Sequence, residues 1–351
     1  MTTYTYNGHT YLEHTIEVPL DRSGIIPGTI TVFAREVYRR GNEDKPRLAF
    51  FQGGPGSPSP RMSAVSGWMT RVLEDFRLVL IDQRGTGNST PLQASWVGEF
   101  GGPPAQADVL SCFRADAIVA DAEDLRRHLQ GDEPWHVLGQ SFGGFIITRY
   151  LSVHQESLAT VMITAGLPSV DRHVDEVYRL TWASTLARNA EFAESFGHVL
   201  PRVWDVAQYL EDNEVRFGSG AHLTPARLRM LGLGLGSSTG PHVLADLFES
   251  PFLTVGGSKR LTARFLHAVE RHLSYATNPI YAILHESIYG GTRPGPTAWS
   301  AHRIRNEFAP AAIPGTEASP YASEAEARAA GAPFIFPGNT CSRGCSRTIR
   351  T

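Results

Sequence analysis

The serine at position 141 lies between two glycines, in the segment Gly139-Gln140-Ser141-Phe142-Gly143. The apolar residues before it are typical of a short strand, and those at 145–151 give a following helix one apolar side. A serine at a sharp strand-to-helix turn has its hydroxyl raised above the sheet, where it can attack a carbonyl carbon. The glycines let the strand and the helix approach closely because they have no side chains. The pattern therefore predicts Ser141 as a nucleophile for acyl transfer.

A second glycine-rich segment, Gln52-Gly53-Gly54-Pro55-Gly56-Ser57, directly follows the apolar run at 48–51. Glycines let a backbone approach a ligand with its N–H groups, and a tetrahedral acyl-transfer intermediate needs such donors for its oxyanion. We predict that one oxyanion donor is the N–H of Gly54, with Gly53 as the near alternative. The other donor is the N–H of Phe142, the residue after the nucleophile.

These two segments need a sheet that brings them together. Residues 10–52 contain three predicted strands separated by turn signals, and further strands are predicted at 76–81 and 158–164, with helices at 62–73 and 116–129. Strands that alternate with helices indicate an α/β fold. After the strand at 76–81, the sequence predicts a tight turn in which Asp82 and Arg84 hold neighbouring loops rather than take part in catalysis.

The composition changes after residue 168, and this change predicts the domain organisation. Residues 1–168 form the N-terminal part of an α/β core, residues 169–312 form a helical cap inserted into it, and residues 313–336 return to the core. Cap helices shape a pocket and exclude water, so the cap should decide specificity. Five aromatic residues are candidates to line an apolar pocket or to fill the cap interior: Trp182, Trp204, Phe248, Tyr281 and Tyr289.

The overall composition excludes several other classes of protein. With 42% hydrophobic and 19% charged residues and a formal net charge of -3, the 351 residues have no general attraction to nucleic acid or anionic membranes. We find no basic segment followed by an apolar run at the N-terminus and no apolar stretch of about 18 residues. We therefore expect a cytoplasmic enzyme with no nucleic-acid or membrane partner. The sequence gives no indication of the oligomeric state.

The three cysteines, Cys112, Cys341 and Cys345, also limit the chemistry. An odd number of cysteines without a secretion signal argues against a disulfide framework. Cys341 and Cys345 have no third or fourth Cys or His ligand nearby, which makes a zinc site a poor interpretation. We expect no metal and no cofactor.

Three motifs together resemble the prolyl aminopeptidase (proline iminopeptidase) family of α/β-hydrolase serine peptidases. They are Gln52-Gly53-Gly54-Pro55-Gly56, Asp82-Gln83-Arg84-Gly85-Thr86-Gly87-Asn88-Ser89 and Gly139-Gln140-Ser141-Phe142-Gly143-Gly144. Their order and spacing are similar to those of the larger bacterial members, and the resemblance covers about residues 10–336. Many relatives have His where this chain has Gln52, a change that should spare backbone donors. The resemblance implies removal of an N-terminal proline, or another small residue, from a peptide with a free N-terminus.

A peptidase of this kind must also bind the substrate's free α-ammonium, which a carboxylate in a pocket of low polarity does best. Cap glutamates have this role in related peptidases. The segment Leu284-His285-Glu286-Ser287-Ile288-Tyr289 makes Glu286 the candidate. The alternative is a solvated glutamate at a helix end.

The acid and the histidine of a serine triad follow the nucleophile in this superfamily, on loops after the strands that follow the cap. Here only Ala332-Pro333-Phe334-Ile335-Phe336 resembles such a strand. No histidine between the elbow and this segment has a recognisable triad position, and a cap histidine that acts as the base is the alternative. We therefore expect that the last strands of the fold, the acid and the base are missing. Turnover would then fall on the order of 10⁶-fold, to a negligible peptidase activity.

Residues 337–351, PGNTCSRGCSRTIRT, contain one aliphatic side chain and two of the three cysteines. The resemblance implies a continuation such as TGEHVFAWMFEDDPY, and a GC-rich gene for that peptide yields the observed tail when its first base is lost. The tail is thus typical of a shifted reading frame. Two alternatives to an aminopeptidase stay open: an esterase or other small acyl hydrolase, since the same motifs serve any acyl transfer, and a fragment without catalysis.

Overall fold

The computed structural model describes residues 2–61, 67–291, 295–308 and 313–338. The chain divides into two compact units. The first comprises Met1–Val170 and Tyr275–Tyr289, and the second comprises Asp171–Ser274 and Gly290–Thr351. None of the helices in the described ranges is both long and apolar enough to cross a membrane.

A seven-stranded sheet forms the centre of the first unit. Its strands are β1 (Thr2–Tyr6), β2 (His9–Pro19), β3 (Thr29–Arg39), β4 (Arg47–Phe51), β5 (Arg77–Asp82), β6 (Trp135–Gln140) and β7 (Leu158–Thr164). They lie in the order β1-β2-β3-β5-β4-β6-β7. The first three strands pair antiparallel, as does β3 with β5, whereas β5, β4, β6 and β7 run parallel. Parallel strands end at the same edge of a sheet, so the loops after β4 and β6 meet there.

Helices cover this sheet on both faces. They are α1 (Trp68–Asp75), α2 (Ala94–Gly98), α3 (Pro103–Ser111), α4 (Ala115–Gln130), α5 (Phe142–Val153) and α11 (Pro279–Leu284). Alternate residues of β4 enter two separate clusters, because successive side chains of a strand point to opposite faces. Phe51 packs in the larger cluster, which includes Ile146 of α5 and Leu125 of α4, and Phe50 packs in the other with Leu73 of α1.

The predicted α/β elements of the first unit are confirmed with small shifts at their ends. The strand predicted at 158–164 is β7, the strand predicted at 76–81 is β5, and the helix predicted at 116–129 is α4. The helix predicted at 62–73 begins at Trp68 among the described residues, and residues 62–66 lie outside them. Strand β1 was not predicted.

The second unit is mainly helical. Its helices are α6 (Val174–Phe196), α7 (Leu200–Asp212), α8 (Pro225–Arg229), α9 (Gly240–Leu247), α10 (Ala263–Leu273), α12 (Ser300–Arg305) and α13 (Glu324–Ala329). It also contains two short antiparallel hairpins, which the sequence pattern did not predict. They are β8 (Val215–Arg216) with β9 (His222–Leu223), and β10 (Phe252–Val255) with β11 (Ser258–Leu261).

The observed division differs from the expected domains at two places. Residues 275–289 were expected in the cap but belong to the first unit, because Ile280 and Leu284 of α11 are buried in its core. Residues 313–336 were expected to return to the sheet but belong to the second unit. The tail at 339–351 and its cysteines lie outside the described residues.

The segment 332–336 forms no strand. Side chains of the second unit bind its backbone instead: Phe336 N–H donates to Asn189 Oδ1 (2.7 Å), and Asn189 Nδ2 donates to the Phe336 carbonyl (3.1 Å). An Arg229 N–H donates to the carbonyl of Ile335 (3.0 Å), and the Phe336 ring is fully buried. These partners explain why an apolar run that resembles a strand does not join a sheet.

Candidate active site

Ser141 lies at the turn between β6 and α5. Its backbone has φ 55° and ψ -120°, a conformation that residues with a side chain rarely adopt and that is held here by the surrounding chain. The Ser141 N–H donates to the Thr164 carbonyl of β7 (3.0 Å), and the Gly144 N–H donates to the Ser141 carbonyl (2.8 Å). A Cβ at position 139 would lie 2.5 Å from the carbonyl carbon of Gly143, and a Cβ at position 143 would lie 2.7 Å from the carbonyl carbon of Phe51 in β4, so neither glycine of the motif has room for a side chain. The elbow geometry predicted for Ser141 is present.

The loop after β4 lies directly beside this turn. A Cβ at Gly53 would lie 2.9 Å from the Cβ of Ser141 and 3.0 Å from the carbonyl oxygen of Gln140. Gly54 has φ +135°, which only glycine adopts without strain. Phe142 is the first residue of α5, and the N–H groups of a first helical turn have no acceptor within the helix. The predicted oxyanion donors thus lie on both sides of the nucleophile.

The loop after β5 supports the oxyanion loop, as predicted for Asp82 and Arg84. The buried Asp82 carboxylate accepts hydrogen bonds from the N–H of Ser59 (3.0 Å) and of Asn88 (2.8 Å). Gln83 Nε2 donates to the backbone carbonyl of Gln52 (2.9 Å).

Arg84 is fully buried and forms a two-point ion pair with Asp121 of α4, with both N···O distances at 2.6 Å. It also donates to the carbonyls of Leu20 (2.8 Å) and Cys112 (2.7 Å). The prediction that these two side chains hold neighbouring loops is therefore confirmed.

The segment 275–289 packs on the loops after β4 and β5. A Cβ at Gly56 would lie 2.6 Å from the Cβ of Ile280, and a Cβ at Gly85 would lie 2.5 Å from its Cδ1. Ile280 therefore packs against bare backbone of the loops after β4 and β5. This contact fixes the position of α11 and of the short helical turn after it, Glu286–Tyr289.

A cavity of about 480 Å³ opens at Ser141, a size that suits a small ligand. Residues of the first unit line it: Gln52, Gly53, Gly54, Ser57, Gln140, Ser141, Phe142, Phe145, Ala165, Gly166, Leu167, Tyr281, His285, Ile288 and Tyr289. The structure thus brings together Ser141, Gly53, Gly54 and Phe142, the four residues predicted for the nucleophile and the oxyanion hole.

Four aromatic rings that line this cavity are in contact with one another: Phe145, Tyr281, His285 and Tyr289. The ring of His285 stacks on that of Tyr281, with centroids 4.5 Å apart. It packs edge to face with the ring of Tyr289, with centroids 5.5 Å apart. Phe145 of α5 contacts Tyr289 at 5.8 Å. Burial lowers the pKa of His285 from 6.5 to about 4 and raises the pKa of the Tyr289 hydroxyl. His285 is therefore neutral at neutral pH.

The position of His285 in the cavity wall was not predicted from the sequence. The available signal was the spacing Tyr281, His285, Tyr289, since residues four apart share one side of a helix. The other three aromatic candidates, Trp182, Trp204 and Phe248, are buried inside the second unit.

Glu286 is 6% exposed and lies between cavity-lining neighbours, but it is not itself one of the lining residues. Its predicted role in binding an α-ammonium stays a prediction.

The described residues provide no acid–histidine pair for Ser141. No hydrogen bond joins the Ser141 hydroxyl to another side chain within the described ranges, and His285 is the one histidine among the described lining residues. The described part of the site therefore contains the predicted nucleophile and the predicted oxyanion donors, but no base in contact with the Ser141 hydroxyl.

Comparisons with known proteins indicate the family of the chain. The family described as alpha/beta hydrolase fold matches residues 46–200. A proline iminopeptidase from Aeromonas sobria is 41% identical over 308 residues, which cover 87% of this chain and 71% of the relative. A proline iminopeptidase from Aspergillus aculeatus is 34% identical, with 84% of this chain and 66% of the relative covered.

Among solved structures, a proline iminopeptidase-related protein from Thermus thermophilus is 21% identical, with a TM-score of 0.34. The match covers 52% of this chain and 51% of that protein.

Proposed function

The chain belongs to the proline iminopeptidase family of serine-type α/β-hydrolases, and we propose on this basis that its Ser141 cavity binds the N-terminal proline of a peptide. Another small N-terminal residue is the alternative occupant. The observation that supports this proposal most strongly is the close approach of Gly53 to Ser141 inside the cavity. In this proposal Ser141 attacks a carbonyl whose oxygen accepts N–H groups from the residues on both sides of it.

The chemistry follows from these positions. The Ser141 hydroxyl oxygen attacks the carbonyl carbon of the first residue, and the resulting oxyanion accepts N–H hydrogen bonds from Phe142 and from Gly54 or Gly53. Collapse of the tetrahedral intermediate breaks the peptide bond and releases the shortened peptide as an amine. Water then hydrolyses the ester on Ser141 and releases free proline.

Proton transfer limits the rate of this reaction, as far as the described residues are concerned. The serine must lose a proton as it attacks, and the leaving amine must gain one. Since no described side chain is hydrogen bonded to the Ser141 hydroxyl, we propose that water accepts this proton and that turnover is slow. Loss of the base and acid of a serine triad lowers turnover on the order of 10⁶-fold.

The walls of the cavity suit a pyrrolidine ring. Phe145, Tyr281 and Tyr289 offer aromatic surface to the apolar ring carbons. For Glu286, which is buried beside this wall, we retain the proposal that its carboxylate provides the counter-charge for the substrate's ammonium. The cytoplasmic location stays a prediction from the sequence.

The experiment measures how fast a fluorophosphonate labels Ser141, by intact mass, with Ser141→Ala as the control that should not be labelled. L-prolinamide should slow the labelling, and N-acetyl-L-prolinamide should not. This comparison of relative rates works even when turnover is slow. Equal protection by the two amides would favour a general acyl hydrolase such as an esterase, and labelling that persists in Ser141→Ala would exclude Ser141 as the nucleophile.

A further inference from the structure

The cavity at Ser141 has no charged wall. None of its described lining residues is Asp, Glu, Lys or Arg. A peptide with a free N-terminus nevertheless brings an ammonium with N–H donors into this space, and each donor that loses water without gaining an acceptor costs free energy. The N–H groups of this ammonium that do not face the Glu286 carboxylate therefore need a neutral acceptor among the lining residues.

The hydrogen-bond acceptors near Ser141 have other positions or roles and do not face the amine. The side-chain oxygen of Gln140 lies 2.9 Å from the place that a Cβ at Gly53 would take, so it faces the oxyanion loop. Ser141 itself attacks the carbonyl carbon. The amine nitrogen is bonded to the Cα atom and not to the carbonyl carbon. It therefore needs an acceptor from another part of the lining.

His285 has the chemistry and the fixed position for this task. Its ring is held by stacking on Tyr281 and by the edge contact with Tyr289, and it lines the cavity. A neutral imidazole has one N–H donor and one nitrogen lone pair, and the structure gives neither ring nitrogen a hydrogen bond within the described residues. Burial holds the pKa of His285 at about 4, so the lone pair is available at neutral pH.

We propose that His285 recognises the free N-terminal amine of the substrate by accepting one of its N–H groups at a ring nitrogen, an inference that rests on the proposed function. The neighbouring Tyr281 and Tyr289 keep the ring in place, and their phenol oxygens are weaker acceptors than an imidazole nitrogen. A neutral acceptor also lets the cavity reject a blocked N-terminus, since an acylated proline nitrogen has no N–H to donate.

The test measures binding by calorimetry, because binding does not depend on turnover. L-prolinamide and N-acetyl-L-prolinamide are titrated into the intact chain, into His285→Phe and into His285→Gln. Phe keeps an aromatic ring on Tyr281 and removes both nitrogens, and Gln keeps an acceptor oxygen without the ring. Far-UV circular dichroism and thermal unfolding check that each variant is folded.

We expect His285→Phe to bind L-prolinamide about tenfold to a hundredfold more weakly, the range for a hydrogen bond to a charged group. Its affinity for the acetylated amide should not change, and His285→Gln should retain part of the preference for the free amine. A purely structural role would weaken both ligands equally, and that result would overturn the inference.

Two further outcomes are decisive. If Glu286→Gln loses L-prolinamide binding while His285→Phe retains it, Glu286 binds the amine and the inference about His285 is wrong. If the unmodified chain binds the two amides equally, the proposed function itself fails, and this is known before any variant is compared.

Discussion

Gly53 lies directly against Ser141, so that a Cβ atom at position 53 would be 2.9 Å from the Cβ of Ser141. Real Cβ atoms essentially never approach another heavy atom this closely. The backbone of the loop after β4 therefore contacts the Ser141 side chain in the turn after β6. No space for a substituent is left between them. The position of the oxyanion loop relative to the nucleophile depends on this contact.

The first prediction is that Gly53→Ala weakens the reaction of Ser141 with a fluorophosphonate about a hundredfold. The added methyl group must push the loop from the nucleophile, and displacement of a catalytic group by about 1 Å has effects of this size. Gly98→Ala is the matched control, since a Cβ at position 98 would meet no atom within 4 Å. Equal labelling rates in the two variants would show that the contact has no role in the reaction.

The second prediction concerns the contact between Gly56 and Ile280, which positions the segment 275–289. Gly56→Ala should reduce L-prolinamide binding at least tenfold, because its Cβ would lie 2.6 Å from the Cβ of Ile280 and displace α11 with the aromatic wall. Gly24→Ala is the control, because Gly24 has a similar positive φ but open space around it. An equal loss of L-prolinamide binding in Gly56→Ala and Gly24→Ala would contradict the steric explanation.

The third prediction concerns the helix that begins at the nucleophile. The buried Glu123 of α4 accepts hydrogen bonds from the Tyr150 hydroxyl of α5 and from Arg126. Burial alone would raise the pKa of Glu123, but the hydrogen bonds from Arg126 and Tyr150 lower it to about 2. Glu123→Gln should destabilise the fold by about 3 kcal/mol at pH 7, since it leaves the buried Arg126 guanidinium without its counter-charge.

This stabilisation has a defined pH window. A lowered pKa means that the contribution of Glu123 is fully present above the unfolded value of 4.5 and is lost as the pH falls toward 2. Urea unfolding at pH 7 and at pH 3 should therefore show a smaller difference between the parent and Glu123→Gln at the lower pH. A difference that does not change with pH would place the stabilisation elsewhere.

The fourth prediction concerns His285 and acid. Its pKa is 6.5 in the unfolded chain and about 4 in the fold, because burial disfavours the charged ring. Between these values the unfolded chain binds more protons, so the stability of the fold decreases as the pH falls from 6.5 toward 4. The titratable groups in ring contact with His285 are the hydroxyls of Tyr281 and Tyr289, which carry no charge in this range.

His285→Phe removes this titration. The free energy of unfolding of the parent should therefore fall by on the order of 1–2 kcal/mol more than that of His285→Phe between pH 7.5 and pH 5. Chemical denaturation at the two pH values measures this difference. Parallel losses in both proteins would show that His285 titrates with an ordinary pKa.

The elbow at Ser141 and the glycine-rich loop beside it were predictable because their signals are local. A glycine on each side of Ser141 and a glycine-rich loop after an apolar run each follow from a close backbone approach within a few residues. The strands β4, β5 and β7 were predictable for the same reason, since each is a short apolar or β-branched run between turn signals.

The remaining features depend on contacts between distant residues. Nothing local in the segment 275–289 shows that Ile280 packs on Gly56 and Gly85, more than 190 positions earlier in the chain. The apolar run that ends at Phe336 resembles a strand, yet its backbone partner is the side chain of Asn189. The hairpins β8–β9 and β10–β11 have strands of only two and four residues, too short for an alternating pattern to stand out.

The most direct test of the central claim uses pyrrolidine-2-boronic acid, which has the proline ring and its free amine but boron in place of the carbonyl carbon. We expect Ser141 to add to the boron, so that ¹¹B NMR shows a tetrahedral boronate bound to the protein. This signal should be lost in Ser141→Ala and with the N-acetylated boronic acid. A tetrahedral adduct that forms equally well without Ser141, or with the blocked amine, would contradict the account.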